Sequence, residues 1–528
     1  MGEKELVLLG DEAVALGAYH SGIHCSYAYP GTPSTEITEY LIELSKKKND
    51  FIVRWSTNEK CAYEEALGVS FVGGRAIVSM KHVGLNVAFD PFVNSAIVDI
   101  NGGFVVAVAD DPGMHSSQNE QDSRILADFA YVPVLEPSNQ QQAYDMTRDG
   151  FDISEKYNIP VLLRLTTRVA HSRSEVYTKE KREKNKLVKI SSSNAWTLLP
   201  SNAKVQFKKL LKKYEELKKL SEKINYNELK LDGKIGVITT GIGRNYFEEI
   251  RNELGQNFSH LHISFYPAPV EKIKKFYDYV EKIYVIEEGY PFIEKILRGF
   301  IPLKKPIFGK MSGDLPQTGE LNSDLILKLF NCVEKEEIKP PIELPSRPPQ
   351  LCQGCPHSDM YFALKEALKE INSESIVTSD IGCYTLGALP PYEAIESCVC
   401  MGASVSMAKG AADAGFHPVL AVIGDSTFMH SGITPLLDAI EDNSNMTLII
   451  LDNSGVAMTG GQPTKTSSEG LKRLLEGVGI PEGHLIFIDL HPQKIKDIKE
   501  ILLKEINHKG LSVIVGRRTC IEIAKKTK

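Results

Sequence analysis

The chain has 528 residues, too many for one hydrophobic core, and its 42% apolar and 24% charged residues suit an ordinary globular protein of three or four domains. With 61 basic against 68 acidic residues the formal charge is −7, which leaves no basic field to draw nucleic acid or an anionic membrane. No apolar run reaches the ~20 residues that span a bilayer, and the acid-interrupted start MGEKELVLLGDEAVALG makes a poor signal peptide.

In chain order, residues 1–195 alternate helical and extended segments. Helix 11–22 precedes CSYAYPGTP, helix 34–47 precedes FIVRWSTNE, helix 59–72 leads to RAIVSMKHVG, and helix 86–100 leads to FVVAVADDPG. Continuous apolar strands separated by amphipathic helices predict a parallel sheet covered on both faces, with ligands beyond the carboxyl ends of the strands. The polar pieces YPGTP, STNEK, KHVGLN and DDPGMHSSQNEQDSR all fall at those ends. Within the connector 196–231, Phe207, Leu210, Leu211, Tyr214, Leu217 and Leu220 recur at the spacing of one helical face. A second βα pattern runs over 232–335 through GKIGVITTGIG, HLHISFYP and KIYVIEEG, and a proline-rich linker follows at 336–350. Residues 351–528 form a third α/β unit, with strands in SIVTSDIG, HPVLAVIGD, TLIILDNS, LIFIDL and LSVIVGRR. The expected class is therefore α/β, with three doubly wound units.

Two constellations in the third unit carry chemistry. Gly424-Asp425-Ser426 ends one strand and Asp452-Asn453 ends the next, with a helix near 432–442 between them. A right-handed crossover makes such strands neighbours, so both side chains reach one crevice, where their hard oxygens suit Mg²⁺ holding a phosphate. Taken singly, Asp425 is an N-cap and Asn453 a turn residue; the pair at this spacing favours the metal. The second set is Cys352-Gln-Gly-Cys355 with Cys383 and the distant Cys520, which could ligate an iron–sulfur cluster or zinc, or be unconnected thiols. Nine cysteines without a secretion signal read as thiols or metal ligands rather than disulfides, and the expected compartment is the cytoplasm. In the first unit Glu59 opens a helix at a strand end, with Glu64 and Glu65 as rival carboxylates.

The motif 424–453, with 26 residues between Ser426 and Asn453, resembles the thiamine-diphosphate signature, Ser426 standing for its usual third glycine. YPGTPSTEI (29–37), NEKCAYEEALG (58–68), MKHVGLNVAFDP (80–91), ADDPGMHSSQNEQDSR (109–124), CQGCPH (352–357), DIGCYTLG (380–387) and AMTGGQP (457–463) extend the likeness over nearly the whole chain. Together they resemble the alpha subunit of the indolepyruvate:ferredoxin oxidoreductases, in the 2-oxoacid:ferredoxin oxidoreductase superfamily. The resemblance implies a thiamine-diphosphate-binding fold with a pyrimidine domain, a transketolase C-terminal-like domain used for assembly, and a diphosphate domain. It implies Mg²⁺ on Asp425, Asn453 and the carbonyl of Gly455, with Gly424 and Ser426 beside the cofactor. Glu59 matches the pyrimidine-activating glutamate, Thr32 a threonine near cofactor and substrate, and Cys352, Cys355, Cys383 and Cys520 the ligands of a [4Fe–4S] cluster.

The implied reaction is oxidative decarboxylation of aryl 2-oxoacids, indolepyruvate above all, to acyl-coenzyme A and CO₂ with single electrons passed to ferredoxin. A smaller beta subunit is the implied partner, in an α₂β₂ assembly. The chain stops at Lys528 without the further cysteine runs of a ferredoxin-like domain, so an external ferredoxin or a separate subunit is expected to take the electrons. Lys81, His82 and Arg124 are candidates around the substrate, Lys81 or Arg124 supplying a cation for its carboxylate. His357 is read either as a contact to the cofactor or cluster or as a structural histidine. Cys398 and Cys400 match no ligand position and are read as structural, while Cys25, Cys61 and Cys332 are assigned to core or local packing. The Gly241-x-Gly243 loop is read as a strand–helix turn. The rival functions are a non-oxidative thiamine-dependent decarboxylase or synthase, which needs no cysteine set, and a non-catalytic scaffold subunit.

Overall fold

The computed structural model describes residues 4–188, 195–300, 305–330, 350–371, 373–464, 466 and 468–526. Cys332 and, apart from Gln350, the linker expected at 336–350 lie outside the described residues. The chain divides into two compact units, Met1–Lys339 and Pro340–Lys528. No helix among the described residues is long and apolar enough to cross a membrane.

The first unit is built on two α/β sheets. One has seven strands, in the order Phe265–Tyr266, Val134–Leu135, Val161–Thr166, Phe104–Asp110, Ala76–Lys81, Cys25–Ala28 and Ile52–Trp55. Six of these run parallel, and Phe265–Tyr266 closes the edge antiparallel to Val134–Leu135. Ala76–Lys81, Phe104–Asp110 and Val161–Thr166 are buried along their whole length, as strands covered on both faces must be. The second sheet has the order Ile307–Phe308, Lys282–Ile286, Ile235–Thr240, Phe258–Ile263 and Glu228–Lys230. A separate two-stranded sheet pairs Lys4–Leu9 antiparallel with Arg173–Thr178.

Three local departures from the sequence reading have physical causes. The helix expected at 86–100 is two helices, His82–Val87 and Phe89–Ile97. Pro91 cannot donate to the carbonyl of Val87, so the chain restarts one residue later with Pro91 inside a first turn, where no donor is needed. Val161–Thr166 carries Arg164 in the middle of its apolar run, a buried charge that only tertiary partners make tolerable. The connector helix Pro200–Lys223 buries Leu210 and Leu217 as expected but leaves Phe207 and Leu211 exposed. Gln206 and Ser221 are buried on it instead, because Gln206 Nε2 donates to Asp99 Oδ2 at 3.1 Å and Ser221 Oγ to the carbonyl of Pro267 at 2.5 Å.

The second unit is a five-stranded parallel sheet in the order Ile376–Ser379, Val419–Gly424, Thr447–Asp452, Ser512–Arg517 and Leu485–Asp489. Val419–Gly424 and Thr447–Asp452 are direct neighbours, with Gly424 opposite Leu451, so the two expected metal-binding strand ends lie side by side.

Candidate cofactor and cluster sites

In the first unit the candidate residues gather at the carboxyl ends of the seven-stranded sheet. Asn58 caps the helix Glu59–Phe71 by accepting the amide of Cys61 at 2.8 Å, which leaves Glu59 as its first residue. Glu59 is buried, and Gly84 of the helix His82–Val87 lies so close that a β-carbon there would sit 2.6 Å from Glu59 Cγ and Oε1. The rivals are placed differently: Glu64 is exposed and paired with Lys60, and Glu65 is exposed and accepts from Ser56. Of the three, Glu59 alone is enclosed by the fold.

Lys81 ends the strand Ala76–Lys81, and its Nζ donates to the carbonyl of Ser116 at 2.6 Å and to Ser116 Oγ at 3.2 Å. Burial pushes its pKa down to about 8, against the opposing pull of Asp111. Ser116 Oγ in turn donates to the carbonyl of Thr32 at 3.1 Å, tying the YPGTP turn to the loop after Asp110. His82 is buried with neither ring nitrogen hydrogen-bonded, and burial pushes its pKa down, so it is a neutral imidazole with unused polar capacity.

Arg124 does not fit the role of carboxylate receptor. Its fully buried guanidinium is consumed by Asp122, Thr240 Oγ1, Tyr266 Oη and the carbonyls of Glu288 and Tyr290. The Gly241–Gly243 turn is likewise filled: a β-carbon at Gly241 would meet Glu136 Oε1 at 2.6 Å, and one at Gly243 the carbonyl of Ile286 at 2.6 Å. Cys25 is buried in its strand and Cys61 is half-buried.

In the second unit Asp425 begins the helical run after Val419–Gly424. Its Oδ1 accepts the amide of Ser426 at 2.8 Å and its Oδ2 that of Ser454 at 3.0 Å. The same Ser454 amide lies 3.1 Å from Asp452 Oδ1, and Ser454 adopts a left-handed φ of 65° to make this possible. Burial, and then the neighbouring Asp452 carboxylate, push the pKa of Asp425 well up. Asp452 Oδ2, Ser426 Oγ and His357 Nδ1 are buried without a hydrogen bond. Asn453 Oδ1 accepts the amide of Gly455 at 3.2 Å, and its Nδ2 faces His357 Nε2 at 3.2 Å. Burial and then Arg518 hold the pKa of His357 at about 4, so it is a neutral partner to Asn453. Gly424 has no room for a side chain, since a β-carbon would lie 2.6 Å from the ring of Tyr384. That tyrosine, whose hydroxyl bonds Asp380, is a shaping residue the sequence reading did not single out, although it lies inside DIGCYTLG. Asp452 as a second carboxylate beside Asp425 is the other addition.

The four thiols of the cysteine set lie within electrostatic reach of one another. Burial and then Cys352 and Cys520 raise the pKa of Cys355 to about 11, and burial and then Cys355, Cys520 and Cys352 raise that of Cys383 to about 12. Cys355 closes the turn on the carbonyl of Cys352 at 3.0 Å. The amide of Cys520 donates to the carbonyl of Asn453 at 3.0 Å, which brings the fourth cysteine to the end of the strand Thr447–Asp452. No three of the four sulfurs lie within 4.8 Å of one another. Cys398 and Cys400 are both exposed.

Two family models match the chain: "Pyruvate flavodoxin/ferredoxin oxidoreductase, thiamine diP-bdg" over residues 16–215 and "Thiamine pyrophosphate enzyme, C-terminal TPP binding domain" over 380–515. The indolepyruvate oxidoreductase subunit IorA of Archaeoglobus fulgidus is 37% identical over 98% of this chain and 87% of its own length. Its counterpart from Thermococcus kodakarensis is 37% identical over 98% of this chain and 86% of its own. Among solved structures, the 2-oxoglutarate:ferredoxin oxidoreductase of Magnetococcus marinus matches at a TM-score of 0.48 and 17% identity, over 58% of this chain and 62% of that one.

Proposed function

Because the chain belongs to the family of the indolepyruvate oxidoreductase IorA subunits, we propose that it oxidatively decarboxylates aryl 2-oxoacids of the indolepyruvate type to acyl-coenzyme A and CO₂, with single electrons leaving to ferredoxin. The reading includes thiamine diphosphate, Mg²⁺ and one [4Fe–4S] cluster as cofactors, and a smaller beta subunit as partner in an α₂β₂ enzyme. A reducing compartment, the cytoplasm, suits its free thiols.

When bound, thiamine diphosphate would supply the electron sink for loss of CO₂, and the cluster an outlet for one electron at a time. The residues present fit these groups. Two adjacent buried carboxylates, Asp425 and Asp452, repel each other unless a cation or a proton sits between them, and Asp452 Oδ2 is left without a donor. In this reading Asp425, Asn453 and the Gly455 carbonyl hold Mg²⁺, while Gly424 and Ser426 line the diphosphate. His357 orients the Asn453 amide. Glu59 serves the cofactor's pyrimidine, held in place by Gly84, and the neutral His82 offers polar atoms to the reacting centre. Lys81 meets the substrate carboxylate, with Thr32 fixed beside it through Ser116.

The observation that carries the oxidative over the non-oxidative reading is the cysteine set. Cys352, Cys355, Cys383 and Cys520 come from three separate segments, Cys355 and Cys383 each within electrostatic reach of the other three. Four thiolates are what a [4Fe–4S] cubane takes, whereas a non-oxidative thiamine enzyme needs none. The test is anaerobic co-production with a candidate beta subunit, followed by iron analysis and a 2-oxoacid screen with coenzyme A and ferredoxin. The wild type is expected to reduce ferredoxin, and Cys520→Ala to lose iron and ferredoxin reduction together. Decarboxylation by an iron-free wild type would instead favour the non-oxidative enzyme. Retention of both iron and ferredoxin reduction in Cys520→Ala would remove that residue from the ligand set.

A further inference from the structure

A second group of potential metal ligands lies in the first unit. Asp11, near the start of the helix Gly10–His20, Glu36, near the start of Thr35–Lys48, and His171, at the end of Thr167–His171, converge so that their ligand atoms lie within 4.8 Å of one another. Asp11 is 0% exposed, and neither of its carboxylate oxygens receives a hydrogen bond. It is not needed to cap its helix, because Glu12 already does so by accepting the amide of Leu9 at 2.8 Å. What faces Asp11 is another carboxylate: burial and then Glu36 push its pKa well up. Glu36 Oε2 in turn lies 3.3 Å from His171 Nε2. The side chains of Glu36 and His171 are 36% and 33% exposed, so the group has a closed floor at Asp11 and an open side toward solvent.

We propose that Asp11, Glu36 and His171 bind a divalent first-row transition cation. In the ion-free chain the hydrogen bond to Glu36 raises the pKa of His171. Once a metal displaces that proton, two carboxylates and an imidazole carry two negative charges, which a dication balances, turning the repulsion between Asp11 and Glu36 into shared attraction. The imidazole selects against Mg²⁺ and Ca²⁺, which prefer all-oxygen shells, and the absence of thiolate selects against the softest ions. Three protein ligands leave room for water on the open side. The position gives the ion a task. Thr35, next to Glu36, accepts the amide of Gly31 at 3.1 Å, and Ser34 Oγ donates to the carbonyl of Gly31 at 2.7 Å. A metal on Glu36 therefore braces the helix start that holds the turn bearing Thr32, joining it to two other helices. The site stands on the first unit alone and does not depend on the thiamine reading.

Mn²⁺ is the probe, because loss of the free-ion electron paramagnetic resonance signal counts bound ions and an oxidised [4Fe–4S] cluster is silent beside it. The full chain, purified with its partner subunit and freed of thiamine diphosphate, is expected to bind one Mn²⁺, with Zn²⁺ displacing it as the tighter binder. Asp11→Asn and His171→Ala are each expected to weaken this binding by about tenfold or more, while Asp425→Asn leaves it intact. The proposal is overturned if no Mn²⁺ binds without thiamine diphosphate. It is also overturned if both variants bind as the wild type does, leaving Asp11 and Glu36 to share a proton. Should Asp11→Asn fail to fold, the partly exposed His171 provides the deciding variant. A second Mn²⁺ that appears only with thiamine diphosphate and vanishes in Asp425→Asn reports on the Mg²⁺ assignment separately.

Discussion

Lys81 shows how much of a role is set by surroundings rather than by residue type. Its ammonium is held by two oxygens of one serine, and burial brings its pKa down to about 8. Below that pH it is a cation able to meet a carboxylate; above it the charge is lost. If Lys81 receives the 2-oxoacid, kcat/KM falls as pH rises through about 8, because this ratio reports the free enzyme's ionisations. Lys81→Arg, whose guanidinium stays charged, is expected to abolish that alkaline limb even where its altered shape lowers the plateau. A limb that persists in the variant assigns the titration to another group. Most of the candidate residues were legible because they follow apolar strands, where a polar residue has few purposes besides binding. The Asp11, Glu36 and His171 group was not, since each taken alone is an ordinary helix-end residue and His171 lies far from the other two in sequence.

At the level of elements, the site depends on two helices approaching where one of them lacks a side chain. The helix His82–Val87 presents Gly84 to Glu59 at the head of Glu59–Phe71. Gly84→Ala puts a methyl group 2.6 Å from the glutamate's Cγ and Oε1, so the carboxylate must swing away while both helices persist. Turnover is expected to fall about 10- to 100-fold, in line with the effect of displacing a reacting group by an ångström, with an unchanged circular dichroism spectrum. Normal turnover would show that the position of Glu59 is not critical. The sequence disclosed the helix headed by Glu59 but not the one bearing Gly84, which lies in the piece KHVGLN: the periodic pattern expected at 86–100 ran through Pro91, and the break at Ala88 comes from a missing backbone donor. The parallel strands of the second unit were legible to within a few residues because apolar runs such as VLAVIG and TLIILD have only one stable setting, the middle of a covered sheet.

At the level of the molecule, the first unit is held together by a buried ionic core. Arg124 and Arg164 share Asp122 and Glu136; Arg164 also pairs with Asp110, and Arg124 with Glu287, which follows the strand Lys282–Ile286 of the other sheet. Such a network contributes little over well-packed apolar residues, but removing one partner strands the rest. Arg124→Met is expected to destabilise the chain by about 3–5 kcal/mol, read as a lowered urea midpoint. A shift of under about 1 kcal/mol, the size of a surface pair, would mean that the network is not the fastening. This could not be read from the sequence, because Arg124 stands in a polar loop where a substrate role looked just as natural.

The short strand Phe265–Tyr266 has a practical consequence for anyone dissecting this protein. It comes from the later part of the first unit yet completes the edge of the earlier sheet, and Tyr266 also hydrogen-bonds Arg124. A fragment ending at residue 231, where the sequence suggests a tidy excision, would keep Val134–Leu135 with an unsheathed flank and a guanidinium deprived of its hydroxyl. Such a flank recruits other chains. The fragment 1–231 is therefore expected to be a sticky, incomplete product, whereas the compact unit that contains both sheets runs over Met1–Lys339.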